Sequence, residues 1–253
     1  MTTYGLLGYP LGHSFSRKFF TEKFAREGID AEYINFELPS IEGYRDMLTS
    51  CPTLRGHNVT IPYKQQVIPY LDELSPEARA IGAVNVVKVD PDGRPTGYNS
   101  DVIGFVESLR PLLRPHHVRA LVLGTGGASR AIVYGLRHKL DFADILLVSR
   151  KTSASPLGEG LVCATYSDIT PDIINQYPVI INCTPCGMYP HTDESPNLPY
   201  EAMTARNLLY DLVYNPETTQ FMQRGAARGA TVKNGLEMLL LQAKASWDFW
   251  TAH

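Results

Sequence analysis

The stretch VRALVLGTGGASRAIVYGL, residues 118–136, decides how the chain is read. Residues 120–123 are apolar and meet a glycine cluster, Gly124, Gly126 and Gly127, and a helix-compatible segment with small side chains at Ala128 and Ala131 follows. A strand, a glycine turn and a helix N-terminus make a phosphate cradle. The backbone comes close to an anion there, and the first free N–H groups of the helix point at it. Ser129 stands where the third glycine of G-x-G-x-x-G would be, so the residues alone also admit an ordinary glycine-rich strand-to-helix turn.

Working outward, apolar runs at 145–148, 179–181, 208–212 and 230–232 alternate with helical segments, the pattern of a doubly wound parallel sheet. Upstream, residues 4–8, 32–38, 57–61, 84–89 and 94–98 read as strands. Phe19, Phe20 and Phe24 share one helical face over 17–28, with Ser16 as the expected N-cap and Gly28 closing the helix. Residues 41–48 suit a helix, Pro62 is placed to open one carrying Lys64, Val67 and Ile68, and Ser75-Pro76-Glu77 starts another. Asp90-Pro-Asp-Gly93 is a hairpin signature, and Asn99-Ser-Asp101 precedes a helix over 102–109. Arg114-Pro-His-His117 reads as a linker, and residues 235–250 as a long helix with Leu236, Leu239, Leu240 and Ala243 as its apolar stripe. Two α/β domains are expected, 1–101 and a Rossmann-type domain over 102–234; the residues of the final helix, 235–253, let it join either, and it is assigned to the first, packing back on it.

At 253 residues there is room for one or two domains, and 44% hydrophobic residues supply a core while 19% charged residues exclude a disordered chain. A net charge of −3 removes any general drive toward nucleic acid. The start lacks the basic and long apolar segments of a secretory signal, and no apolar run has membrane-spanning length, so a cytoplasmic protein without a membrane partner is expected. The four cysteines, Cys51, Cys163, Cys183 and Cys186, are too few for a disulfide scaffold. Cys183-Thr-Pro-Cys186 spells C-x-x-C, which fits a redox or zinc site or a plain turn.

Polar side chains gather where the strands of the first half end: Ser14 and Ser16, Asn58 and Thr60, then Lys64, Asn85, Asn99 and Asp101. Each has a plainer role as a cap or strand residue, yet strand ends are where an open α/β sheet places its ligand. Lysine with aspartate suits one chemistry. Reducing a ketone by hydride transfer needs a proton donor at the carbonyl oxygen, and the reverse needs a base; the cofactor carries the redox work. At the end of the second Rossmann strand, Ser149-Arg150-Lys151 stands where an NAD site would carry Asp or Glu. That suits a 2′-phosphate, or else a solvated basic turn.

The chain resembles the shikimate dehydrogenase family over nearly its full length. The matching runs are GYPLGHSFS (8–16), GHNVTIPYK (56–64), IGAVN (81–85), GYNSD (97–101), GTGGASRA (124–131), NCTPCGM (182–188), YDLVYNP (210–216) and GLEMLLLQ (235–242). The resemblance implies that Ser14 and Ser16 hold the substrate carboxylate with Tyr214, that Thr60, Asn85 and Gln242 bind ring hydroxyls, and that Lys64 and Asp101 are the acid–base pair. It further implies that Gly124, Thr125, Gly126, Gly127 and Ala128 cradle the pyrophosphate of NADP, that Ser149, Arg150 and Lys151 face the adenosine end, and that Leu212 and Gly235 neighbour the nicotinamide. The implied reaction is reversible, NADPH-dependent reduction of 3-dehydroshikimate to shikimate in aromatic amino-acid biosynthesis, by a monomer or homodimer acting on small molecules without nucleic acid or metal. The C-x-x-C thiols then fall in the family's Asn-x-Thr-x-x-Gly-Met loop and are incidental. The chain departs from the family at Arg17 (usually proline), Val86 (threonine), Ser100 (threonine) and Asn234 (aspartate). Two alternatives are a quinate/shikimate dehydrogenase using NAD and a non-catalytic metabolite-binding relative.

Overall fold

The computed structural model describes residues 1–12, 15–150 and 160–252; the expected site residues Ser14 and Lys151 lie outside the described residues. The chain divides into two compact units, Met1–Ser100 with Gln242–His253, and Asp101–Leu241.

The first unit comprises β1 (Thr2–Gly8), α1 (Phe15–Glu27), β2 (Ala31–Glu37), α2 (Tyr44–Ser50), β3 (Leu54–Val59), β4 (Glu73–Leu74), α3 (Pro76–Ile81), β5 (Val86–Val89) and β6 (Pro95–Tyr98). Among the described residues these strands form a six-stranded sheet in the order β2-β1-β3-β5-β6-β4. β2, β1 and β3 are parallel, and β5 turns antiparallel to both β3 and β6. Because successive strand residues point to opposite faces, Leu7 and Val87 join one core with Tyr44, Leu54 and Val67, while Leu6 and Val86 join another with Phe20, Phe24 and Tyr33. Ser75 caps α3 by accepting from Ala78 N–H at 3.1 Å, as its Ser-Pro start predicts.

Two local expectations fail here. Residues 61–67 form successive turns rather than a helix after Pro62. The Lys64 carbonyl, which a helix would give to Ile68, instead accepts from Val84 N–H at 2.7 Å. Ser16 is the second residue of α1 and not a residue before it, since the helix begins at Phe15.

The second unit runs α4 (Asp101–Leu109), β7 (Arg119–Leu123), α5 (Gly127–His138), β8 (Asp144–Ser149), β9 (Val162–Thr165), α6 (Pro171–Gln176), β10 (Val179–Asn182), β11 (Leu208–Asp211), α7 (Gln220–Ala226) and β12 (Thr231–Lys233). Its sheet is parallel throughout, in the order β12-β11-β10-β7-β8-β9. Counted from β7, that is the 3-2-1-4-5-6 order of a dinucleotide-binding sheet, with the switch point between β7 and β10. The central strands are near-continuous apolar runs, as burial on both faces demands. β9, which the apolar runs do not mark, is a short edge strand whose residues are exposed or half-buried, unlike its neighbours. Arg114–His117 is not a linker. His117 is buried, its Nδ1 accepting from Arg114 N–H at 3.1 Å and its Nε2 donating to the Arg206 carbonyl at 3.0 Å.

The last helix, α8 (Leu236–Thr251), belongs to the first unit from Gln242 onward. There Trp250 stacks on Tyr4 at 4.9 Å between ring centres and donates its indole N–H to the Val87 carbonyl at 2.9 Å.

Burial in the first unit has a measurable pH signature. His57 is fully buried on β3, with Tyr44 hydroxyl 2.9 Å from its Nε2, and burial pushes its pKa down to about 4. The folded state therefore keeps it neutral where the unfolded chain binds a proton. Its contribution is whole above the ordinary value of 6.5 and is lost progressively as pH falls toward about 4. Between pH 7 and pH 5 the native protein is expected to lose about 2 kcal/mol more unfolding stability than His57→Gln, which removes the titrating ring. Urea unfolding followed by tryptophan fluorescence checks this, because both tryptophans, Trp247 and Trp250, report on this unit. Parallel losses in the two proteins would contradict it.

Candidate active site

One edge of the first sheet collects the expected polar groups. Thr60 follows β3, Asn85 precedes β5 and Ser100 follows β6, and the antiparallel registers Asn58↔Val86 and Val86↔Tyr98 bring all three ends to the same edge. Thr60 is held by its N–H donating to the Leu7 carbonyl at 2.9 Å. Val59 N–H donates to the Asn85 carbonyl at 2.9 Å, and Val84 N–H to the Lys64 carbonyl, so Thr60, Lys64 and Asn85 are drawn together by backbone bonds alone. The loop after β3 thus carries Lys64 back beside the strand that Asn85 begins.

Beneath that edge runs a buried polar network. Tyr33 donates to Asn58 Oδ1 at 2.9 Å and shares a hydrogen bond with the Ser16 hydroxyl; burial pushes its ionisation far above the ordinary range. Asn58 Nδ2 donates to Ser246 Oγ at 2.8 Å, and Ser246 donates to the Gln242 carbonyl at 2.8 Å. Ser100 links this to Asn85 on both sides of the amide, its N–H donating to Oδ1 at 2.7 Å and its oxygen accepting from Nδ2 at 3.0 Å. Three expected site residues, Ser16, Asn85 and Gln242, are therefore tied by Tyr33, Asn58, Ser100 and Ser246. Neither Tyr33 nor Ser246 stands out as a site residue in the sequence, where the one signal is the i, i+4 spacing that puts Gln242 and Ser246 on one helix face.

Asp101 is the first residue of α4 and 3% exposed. A carboxylate so placed sits in the favourable field of a helix N-terminus. Both Asp101 and Tyr214, which is 39% exposed after β11, belong to the second unit.

In the second unit the glycine turn links β7 to the N-terminus of α5. Gly124 has φ +101°, and a Cβ there would stand 2.9 Å from the Thr184 methyl, so no other residue fits the turn. Its N–H donates to the Val148 carbonyl at 2.8 Å, tying the end of β7 to β8. Gly126 is the N-cap of the twelve-residue α5 and makes no side-chain cap; a Cβ there would meet nothing within 4 Å. Open space lies where a side chain would stand, and the first turn of a helix leaves N–H groups free for an anion. Thr125 and Ala128 flank the turn, Ser149 ends β8, and Arg150 follows it exposed. These residues fit a dinucleotide with a further anionic group on its adenosine end.

Asp211 organises the far side of the sheet. It is fully buried at the end of β11 and accepts from Asn182 Nδ2 at 3.0 Å, Val213 N–H at 3.0 Å and Thr219 Oγ1 at 2.6 Å. Burial pushes its carboxyl up to about 6 against those three bonds. The segment after it carries Leu212, whose N–H donates to the Asn182 carbonyl at 2.9 Å. Gly235 passes so close that a Cβ would lie 2.2 Å from the Leu212 carbonyl oxygen. Leu212 and Gly235 are thus brought together at the end of β11.

The C-x-x-C segment forms a side-chain-braced turn. Asn182 Oδ1 accepts from Thr184 N–H at 3.1 Å and its hydroxyl at 2.6 Å, and Thr184 Oγ1 accepts from Cys186 N–H at 3.3 Å. Both thiols are free, and burial pushes Cys183 up to about 12, leaving it protonated and unreactive. Among the described residues no group of three or more His, Cys, Asp or Glu is placed to hold a metal ion.

Residues 6–87 match the family model of the shikimate dehydrogenase substrate binding domain. A shikimate dehydrogenase (NADP(+)) from Desulforamulus reducens is 36% identical over 98% of this chain and 89% of its own. A shikimate 5-dehydrogenase from Thermus thermophilus, solved with NADP(H) and shikimate, superposes with a TM-score of 0.87 at 32% identity, covering 100% of this chain and 94% of that one. A quinate dehydrogenase from Corynebacterium glutamicum in complex with NAD superposes with a TM-score of 0.88, at a lower 26% identity, over 100% and 94% of the two chains.

Proposed function

This chain belongs to the shikimate dehydrogenase family, and we propose that its first unit binds the substrate on Ser14, Ser16, Thr60, Asn85 and Gln242 while its second binds NADP on the glycine turn and Arg150. The reaction is the reversible, NADPH-dependent reduction of 3-dehydroshikimate to shikimate, an oxidoreduction at a CH–OH group. The observation that carries the site assignment is the convergence of Thr60, Lys64 and Asn85 at one sheet edge through the Lys64–Val84 and Asn85–Val59 backbone bonds.

Bound NADPH supplies the hydride that converts the ketone carbon to a carbinol carbon. The protein's own task is to hold the ring and to move one proton. Lys64 gives that proton to the carbonyl oxygen in reduction and takes it back in oxidation, with Asp101 as its acid–base partner. Ser14 and Ser16 hold the substrate carboxylate through hydroxyl donors, and Tyr214 is assigned to the same group. Thr60, Asn85 and Gln242 bind ring hydroxyls, and their demand for paired polar groups gives the site its discrimination. Gly124 to Ala128 receive the pyrophosphate, Ser149, Arg150 and Lys151 face the adenosine phosphate, and Leu212 with Gly235 flank the nicotinamide.

The partners are small molecules, handled by a monomer or homodimer in the cytoplasm. The chain's net charge of −3 offers no general attraction to nucleic acid, and no helix among the described residues is long and apolar enough to cross a membrane.

Cofactor choice tests the second unit directly. Arg150 is exposed and follows the last residue of β8, so its loss is expected to leave the sheet intact. Arg150→Ala is expected to raise KM for NADP+ roughly tenfold, the worth of one charge-assisted phosphate bond, while changing KM for NAD+ less than about twofold. Equal effects on the two nucleotides would overturn the assignment of Arg150 to the phosphate.

A further inference from the structure

We propose that Ser246 on α8, its own proton taken by the main-chain carbonyl of Gln242 one turn earlier, is a positioning residue that sets, through Ser100, how the Asn85 amide meets a ring hydroxyl of the substrate. The inference rests on the assignment of Asn85 to the substrate.

Ser246 is fully buried, and its oxygen has three partners: Asn58 Nδ2 at 2.8 Å, the Ser100 hydroxyl at 3.3 Å and the Gln242 carbonyl at 2.8 Å. A carbonyl only accepts and an amide nitrogen only donates. The single Ser246 proton therefore goes to Gln242, and the Ser246 oxygen must accept from both Asn58 and Ser100. That directs the Ser100 proton at Ser246 and leaves the Ser100 oxygen to accept from Asn85 Nδ2 at 3.0 Å. The Ser100 N–H fixes the other end of the same amide through Oδ1 at 2.7 Å. One direction of donation, Asn85 to Ser100 to Ser246 to Gln242, satisfies the chain, and its fixed end is the Gln242 carbonyl.

Removing the Ser246 hydroxyl unlocks this order. Ser100 is fully buried and has lost its acceptor. A buried hydroxyl without an acceptor is costly, so the Ser100 hydroxyl turns and its oxygen no longer meets Asn85 Nδ2, while the Ser100 N–H still holds Oδ1. The amide that reads the ring hydroxyl is then fixed at one end instead of two. Asn58 Nδ2 keeps only its 3.3 Å bond to the Asn85 carbonyl. Alanine is a good helix former and one atom smaller, so the fold tolerates the change.

The test uses the full chain with four variants: Ser246→Ala, Ser100→Ala, the two together, and Asn85→Ala. For Ser246→Ala, KM for shikimate is expected to rise roughly tenfold, with kcat and KM for NADP+ within about twofold of the parent. Ser100→Ala is expected to give the same split, and the double variant is expected to be no worse than either single one, because both break one chain of donation. An unchanged KM for shikimate in Ser246→Ala, an equal rise in KM for NADP+, or additive effects in the double variant would each overturn the positioning role. Asn85→Ala separates the two possible failures. If it too leaves KM for shikimate unchanged, the substrate assignment itself falls; if it raises KM while Ser246→Ala does not, only the role of Ser246 falls.

Discussion

Lys64→Ala is expected to lower kcat by about 10²- to 10⁴-fold, the usual contribution of a positioned general acid–base group, while fold and NADP+ affinity stay close to those of the parent. The separation follows from how Lys64 is built in. Its structural bond to Val84 is made by its carbonyl, which alanine retains. The glycine turn and Arg150 belong to the other unit and have no part in that loop. Circular dichroism and a nucleotide titration establish the retained fold and affinity, and stopped-flow turnover in both directions reads the loss. Turnover within a few-fold of the parent would remove Lys64 from the chemistry.

Gly235→Ala is expected to damage the second unit severely. The added Cβ would lie 2.2 Å from the Leu212 carbonyl oxygen and 2.7 Å from its carbonyl carbon. Neither neighbour has room to yield. Leu212 N–H is committed to the Asn182 carbonyl at 2.9 Å, and Gly235 N–H to the Val213 carbonyl at 3.1 Å. Relief requires moving one backbone segment away from the other, breaking such a bond. A loss of about 3 kcal/mol in unfolding stability is expected, with at least roughly tenfold weaker NADP+ binding from the disturbed Leu212 segment. Chemical unfolding and nucleotide titration measure the two. Native values for both would show that the approach of Gly235 to Leu212 is not needed.

The Rossmann unit was the more legible half of the sequence. Its strands are apolar runs and its turn is marked by Gly124, Gly126 and Gly127, so local composition and tertiary burial agree. β9 escaped because an edge strand with one exposed side lacks that run. Pro62 misled because helix-opening proline says nothing of where the Lys64 carbonyl is bonded; Val84, twenty residues on, takes it. The site residues were readable as motifs, but the network that aligns them was not. Tyr33, Ser100 and Ser246 come from strand, loop and terminal helix, and only the folded sheet edge brings them within hydrogen-bonding distance of one another's partners. The reading of Arg114–His117 as a linker failed for a similar reason, since its Arg206 partner is remote in sequence.

Substrate and cofactor identity are read together in the initial rate of nicotinamide reduction by the purified chain with shikimate or quinate, each paired with NADP+ or NAD+. Fast turnover with shikimate and NADP+, falling well over tenfold with either exchange, is the predicted result. Preference for quinate with NAD+, or no turnover with shikimate at all, would contradict it.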